Sequence, residues 1–351
     1  MWDAVQPSLP GMEAAADSDL ELDRVAQYLH ALDPAGERTA ATLRASIDML
    51  LDGRHTGRYR MDQLHKTEKT HAGTLVEIAL QRQFSFDDGA VLDYSIAGAE
   101  VDCKFSQRLG GWMIPPEALG LLLLVVWASD EQGQWCAGLV RAREAHLRAA
   151  ANRDLKRGLN EAGLGAIRWL HHRVPLAENA LLRLPPRTVT EILAPRSGQQ
   201  RVNELFRRAQ RLRISRTVIA TVAQQDDYMK RVRAGGGARD ALRREGIVVF
   251  GDYGSHREAA AALGLPAPGA GEFVSARLKP REPGATATSD TGPAVRLDGG
   301  DWVLAGPKDP VWPAPALPSV LATVPAAVPA TVPPTMPTVR WPADAPPHPA
   351  R

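Results

Sequence analysis

The period of apolar positions changes several times along the chain, and each change marks an element. From Thr67 to Phe84, TEKTHAGTLVEIALQRQF sets Leu75, Ile78, Ala79 and Arg82 at turn-like spacing, which predicts a helix carrying Glu77 beside its apolar stripe. VLDYSI and AEVDCKF follow, separated by Ala97-Gly98, and the glycine suits a tight turn between antiparallel strands. The run LGLLLLVVWA, Leu119 to Ala128, is unbroken and reads as a buried central strand. It falls well short of the ~20 apolar residues that span a bilayer, so no membrane partner is expected. WCAGLV supplies another strand, and NRDLKRGLNEAGLGAIRWLHH reads as a helix ending near Gly163 or Gly165, then a strand that closes at His171-His172.

These shifts divide the chain. Residues 1–18 form a loose leader with no basic start and no apolar run, so no signal peptide is expected. Residues 19–173 alternate helical and strand patterns, as an α/β sheet domain does. A Pro-containing linker spans 174–195. From 196 to 278 the pattern is mainly helical and basic. There Val202, Leu205, Phe206, Ala209 and Leu212 make an apolar face, while Arg201, Arg207, Arg208, Arg211 and Arg213 occupy the others. Ser215 is placed to cap TVIATVA and Asp226-Asp227 to cap YMKRVR. Arg239 to Glu245 gives a further helical segment, ended by Gly246 before the strand IVVFG. Helices followed by a short strand meet the requirement of a winged helix-turn-helix, with Gly235-Gly236-Gly237 splitting its recognition element. Residues 279–351 hold 17 of the 28 prolines and read as a Pro-rich tail, disordered or polyproline-like, that builds no core.

Charge refines the picture. The net +2 of the 351-residue chain hides 13 Lys/Arg against 5 Asp/Glu between Arg196 and Phe250, a local +8 that suits duplex DNA. A solvated basic helix would show the same pattern. Candidate DNA contacts are Lys230, Arg231, Arg233, Arg243 and Arg244, made to phosphates more than to bases. Two cysteines, Cys103 and Cys136, give neither a disulfide framework nor metal-ligand spacing, and suit a reducing, cytoplasmic setting.

The chemistry is concentrated in LDYSIAGAEVDCKFS, Leu92 to Ser106. Alternation puts Glu100, Asp102 and Lys104 on one face of a strand and Val101, Cys103 and Phe105 on the other. A solvated outer face looks the same, so the neighbours matter. Asp93 and Asp102 can supply the carboxylates that Mg2+ takes, the backbone carbonyl of Cys103 a further oxygen, and Glu77 a third acid if its helix packs on the hairpin. Lys104 can then orient or help deprotonate a water and offset charge on a phosphate.

Glu77, Asp93 and Asp102-Cys103-Lys104, in that order, resemble the signature of the PD-(D/E)xK nucleases, with Leu92 where that pattern has proline. The stretches TGRYRMDQLHKTEKTHAGTLVEIALQRQF, DYSIAGAEVDCKFSQRLGGWMIPPEA and DDYMKRVRAG with LRREGIVVFG are similar to the NaeI-type, type IIE restriction endonucleases over roughly residues 20–275. The resemblance implies an α/β fold, a restriction-endonuclease-like mixed sheet flanked by helices, plus a mainly helical winged-helix domain similar to that of the catabolite activator protein. It implies a homodimer that cuts duplex DNA with Mg2+ at a GC-rich palindrome such as GCCGGC, activated by a second DNA copy and paired with a protecting DNA methyltransferase. Catalytic roles fall on Glu77, Asp93, Asp102 and Lys104, and metal binding on Asp93, Asp102, Cys103 and Glu77.

Two other readings stay open at this point: a DNA-binding regulator with an inert nuclease-like domain, and a repair or mobile-element nuclease. MLLDG has the skeleton of the Lys-x-Asp-Gly motif of nucleotidyl-transferring ligases, but Leu50 stands at the Lys position ahead of Asp52 and Gly53. His171-His172 lacks acids at zinc spacing. Trp112 and Met113, in the loop after the acidic strand, read as core plugs rather than base readers.

Overall fold

Apolar residues at every position of LGLLLLVVWA leave that segment no polar face, so it needs cover on both sides. In a computed structural model, which describes residues 19–225, 227–281 and 292–317, it forms Leu122–Ser129, the fourth of six strands. Across the sheet the order is Asp87–Asp88, Tyr94–Ile96, Ala99–Ser106, Leu122–Ser129, Gln134–Arg141 and Arg168–Pro175. Neighbours are antiparallel except Ala99–Ser106 and Leu122–Ser129, which run parallel with Asp102 opposite Leu123 and Lys104 opposite Val125. The result is the mixed α/β sheet expected of a restriction-endonuclease fold.

Leu122, Leu124 and Val126 pack on one side with Val25, Leu43, Ile47, Val76 and Leu80, which come from the helices Leu20–Leu32, Glu37–Leu51 and Lys66–Phe84. On the other side Leu123, Val125 and Trp127 meet Trp112, Ile114 and Leu159. Ala97 and Gly98, at φ 50° and 78°, make the left-handed two-residue turn that a close antiparallel hairpin needs.

Trp112 is a core plug, its indole N–H donating to the Val126 carbonyl at 2.8 Å. Met113 is not. In the short strand Met113–Ile114 alternation turns Ile114 inward and leaves Met113 38% exposed. The helix expected from Asn152 shrinks to Glu161–Gly165. Asn152 Oδ1 accepts the N–H groups of Asp154 and Lys156 at 3.0 and 2.9 Å, making a turn instead, and Arg157–Gly158 pairs with Met113–Ile114. His171 and His172 lie within the last strand rather than at its end, His171 packing on Trp135.

In the second half, Pro186–Leu193, Gly198–Arg208, Arg216–Ala223 and Ala238–Arg243 are helices around a core of Val202, Leu205, Phe206, Ile219, Val222 and Leu242. The Ser215 hydroxyl accepts the Val218 N–H at 3.3 Å as the expected cap. YMKRVR yields only a short 3-10 turn, Tyr228–Arg231, and Gly235 and Gly236 at φ 85° and 99° separate it from the next helix. Asp226, one of the two expected caps, lies outside the described residues. The long strand Glu272–Pro280 organises the sheet, pairing with Ile214–Ser215, Ile247–Phe250 and Gly300–Leu304 in turn.

That last pairing corrects the expectation of a coreless tail from residue 279. Ala294–Leu297 and Gly300–Leu304 form a hairpin, and Leu297, Val303 and Ala314 are buried. The prolines of this stretch flank the hairpin without entering it, so a proline count hides two strands. The leader and residues 318–351 lie outside the described residues.

The two halves meet where the helical turn Gly53–Thr56 lies on Arg216–Ala223: a Cβ at Gly53 would stand 2.2 Å from Thr221 Oγ1. The glycine of MLLDG thus has a packing reason. No helix among the described residues is long and apolar enough to cross a membrane.

Ending the chain after residue 281, compared with ending it after residue 317, should cost roughly 3 kcal/mol or more, because the buried Leu297 and Val303 are removed and the cluster of Val248, Phe250 and Leu278 that Leu297 completes loses its cover. The urea midpoints of the two truncated proteins measure this directly.

Candidate active site

The Ala97-Gly98 turn sets the register of the hairpin. Tyr94 pairs with Val101, so Asp93 comes back alongside Asp102. Asp93 Oδ2 accepts the Cys103 N–H at 2.7 Å. Lys104 Nζ donates to Asp102 Oδ1 at 2.5 Å and to the Cys103 carbonyl at 3.2 Å, and stands 3.9 Å from Asp93 Oδ2. Asp102 is only 4% exposed, and its Oδ2 is buried without a hydrogen-bond partner among the described residues. Such an oxygen is costly to leave unmatched and is the kind of atom a hard cation takes.

Burial pushes the Asp102 carboxyl up to about 6 against the pull of Lys104. Burial also raises Glu77, and the charge of Asp93 adds to the effect. Lys104 is desolvated too, but the Asp102 carboxylate outweighs that and raises its pKa, so the ammonium stays charged. The buried Cys103 thiol is pushed up to about 12 and faces the core, which leaves only its backbone carbonyl as an oxygen ligand.

The acids are not all gathered. The Tyr94 hydroxyl donates to the Glu77 carbonyl at 2.7 Å and clips the Lys66–Phe84 helix to the hairpin. Yet no hydrogen bond or ion pair joins the Glu77 carboxylate to Asp93, Asp102 or Lys104, and no three His, Cys, Asp or Glu side chains among the described residues converge as a metal cluster. Asp93, Asp102 and the Cys103 carbonyl stand together, while Glu77 is linked to Asp93 and Lys104 by charge alone. Two carboxylates and a carbonyl still fit Mg2+, which completes its shell with water and phosphate.

Glu100, which the alternation grouped with Asp102 and Lys104 without giving it a task, turns aside. It accepts the N–H groups of Ala90, Val91 and Leu92 at 2.8, 3.0 and 2.9 Å. Those bonds, Leu92 first, hold its carboxyl below the usual range. The only hint in the sequence was a glycine-containing turn just ahead of Asp93.

The basic candidates are scattered in their engagement. Arg233 and Arg244 are exposed, Lys230 pairs with Asp227, and Arg231 donates to Gln225 at 2.7 Å. Arg243 donates to the Ala314 carbonyl at 3.0 Å. Several helix arginines are spent inside the domain: Arg201 on the Val222 and Ala223 carbonyls, Arg207 on Glu245, Arg208 on Glu204.

Comparison with known proteins adds identity to this geometry. The family described as restriction endonuclease NaeI matches residues 23–313. The type II restriction enzyme NaeI of Lentzea aerocolonigenes is 49% identical over 311 residues, 86% of this chain and 96% of that protein.

Because the folded-state pKa of Asp102 lies above its unfolded value, the stability tied to its protonated form is complete below the unfolded pKa. It is lost as pH rises through about 6. Asp102→Asn removes that loss, so the melting temperature of the variant relative to the parent should be more favourable at pH 8 than at pH 5. Thermal unfolding at the two pH values reads the difference, and an unchanged difference would sink the buried-carboxylate account.

Proposed function

Because the chain belongs to the NaeI restriction endonuclease family, we propose that this type II restriction enzyme, a sequence-specific endonuclease, hydrolyses duplex DNA with Mg2+ at Asp93, Asp102, Lys104 and Glu77. What favours this reading above all is the buried, unpartnered Asp102 Oδ2 with Asp93 beside it and a charged Lys104 on the same strand. Membership of a family of restriction enzymes leaves no place for the regulator and repair readings.

Asp93, Asp102 and the Cys103 carbonyl would hold the ion. Bound there, Mg2+ supplies positive charge to the phosphate oxygens and a lower pKa for water. Lys104 orients the attacking water and offsets the negative charge that grows on the phosphate. Glu77, held above the usual carboxyl range, is suited to take the water's proton. The water oxygen bonds to phosphorus as the bond to the leaving sugar oxygen breaks on the opposite side.

The second domain is proposed as a winged helix-turn-helix. Its order supports this: helix Gly198–Arg208, strand Ile214–Ser215, helix Arg216–Ala223, the segment from Tyr228 to Arg243, then strands Ile247–Phe250 and Glu272–Pro280. Lys230, Arg231, Arg233 and Arg244 would meet phosphates of a second, effector DNA copy, and Arg243 would do so on leaving Ala314. A two-fold homodimer would read a palindrome such as GCCGGC, in a cytoplasm where a DNA methyltransferase protects the host's own sites.

Incubating the protein with plasmid should give discrete fragments with Mg2+ and none with EDTA; intact plasmid in both, with DNA still bound, would defeat the proposal. Asp102→Ala or Lys104→Ala should lower the cleavage rate at least ~100-fold while leaving DNA binding largely intact. Replacing both Arg231 and Arg233 by Ala should weaken binding to all sequences and flatten the salt dependence by about two charges. A titration of Kd against salt concentration checks the last point.

A further inference from the structure

We propose that Glu100 is a positioning residue for the hydrolysis, its carboxylate splinting the turn at Ala90–Leu92 and thereby fixing where Asp93 stands. The inference rests on the role given to Asp93 above.

The geometry is specific. Glu100 lies two residues before Asp102, so the strand that carries one metal-holding acid also carries the brace for the other. Its two oxygens take three consecutive backbone N–H groups, Ala90 at 2.8 Å, Val91 at 3.0 Å and Leu92 at 2.9 Å, and the residue after Leu92 is Asp93. Hydrogen bonds to an ionised acceptor are about twice as strong as neutral ones. The pairing of Asp87 and Asp88 with Ser95 and Tyr94 closes the ends of this turn and Leu92 packs on the core beside it, but between those anchors the backbone is held mainly by Glu100. Ala90 and Val91 are exposed, and the Gly89 N–H reaches the Asp93 carbonyl only at 3.5 Å.

A second observation agrees. A Cβ at Gly89 would lie 2.4 Å from the Leu92 carbonyl oxygen, so the turn is itself too tight to admit a methyl group, and 2.8 Å from Glu100 Oε2, so the carboxylate lies directly against that tight backbone. Leu92 contributes in a way a proline could not, because it has an N–H to donate. Asp93 is then fixed from both sides: its backbone by the turn, its carboxylate by the Cys103 N–H at 2.7 Å. Glu100 itself makes no bond to Asp93, Asp102 or Lys104, and so acts through the turn. A displacement of an ångström at a reacting group can cost about 100-fold in rate.

The test uses the full chain carrying Glu100→Ala or the isosteric Glu100→Gln. Hydrogen exchange of the peptide covering residues 89–93, followed without metal or DNA, should speed up about tenfold or more in Glu100→Ala. Glu100→Gln, which keeps one carbonyl acceptor, should fall between it and the parent. In step with exchange, kcat should fall and the half-saturating Mg2+ concentration should rise, while the Kd for DNA in EDTA stays within about twofold of the parent. Faster exchange with unchanged kcat and Mg2+ dependence would make Glu100 a structural brace only. A fall in kcat with unchanged exchange would place it in the reaction directly, and either result overturns the proposal. If Glu100→Ala does not fold, the comparison of Glu100→Gln with the parent decides. The underlying reading fails separately: cleavage retained by Asp93→Asn would remove the role of Asp93 whatever the exchange data show.

Discussion

A carboxylate taken almost wholly out of water beside an ammonium at 2.5 Å is the contact on which the rest of this site depends. Stripping two charges of solvent costs several kcal/mol for each, and their attraction offsets this only when the remaining polar atoms are also satisfied. Here they are not: Lys104 answers one oxygen of Asp102 and leaves the other bare. The surroundings that make this costly are the apolar strand Leu122–Ser129 alongside, with Leu123 and Val125 opposite the two charged residues. They also strengthen any charge interaction made there, because little water screens it. The fold spends stability to hold a carboxylate that is ready for a positive partner.

Local pattern carried much of this architecture. The Lys66–Phe84 helix, the hairpin at Ala97-Gly98 and the central strand each announce themselves through period or turn chemistry within a few residues. What pattern could not convey is which of two local preferences wins when partners lie far away. Asn152 bends the chain by bonding to its own neighbours, and the Ala294–Leu304 hairpin exists because a strand some twenty residues earlier offers it an edge. Met113 turns outward for a simpler reason: in a two-residue strand only one side chain can face the core.

The site was legible to a similar degree. Asp93, Asp102 and Lys104 could be placed together because two paired strands fix their relation almost completely. Glu77 sits on a helix, and its distance from them depends on packing that no spacing encodes. Glu100 leaves no mark in the sequence because its partners are backbone N–H groups, which every residue but proline possesses and no motif records. The local charge of +8 overstates how much of that charge faces outward. Composition counts arginines without saying that Arg201, Arg207 and Arg208 already serve the domain's own carbonyls and carboxylates.

The single parallel pairing in the sheet has a bearing on how the chain is made. Ala99–Ser106 is flanked on one side by Tyr94–Ile96, synthesised before it, and on the other by Leu122–Ser129, synthesised after it. A ribosome that has just released Lys104 has therefore delivered both aspartates and the lysine, but not the strand that walls them from water. Until the later strand docks, Asp102 keeps the hydration of an ordinary carboxylate. A growing chain thus holds the whole chemical vocabulary of the site before it can use it, and competence arrives with the completed sheet rather than with the residues themselves.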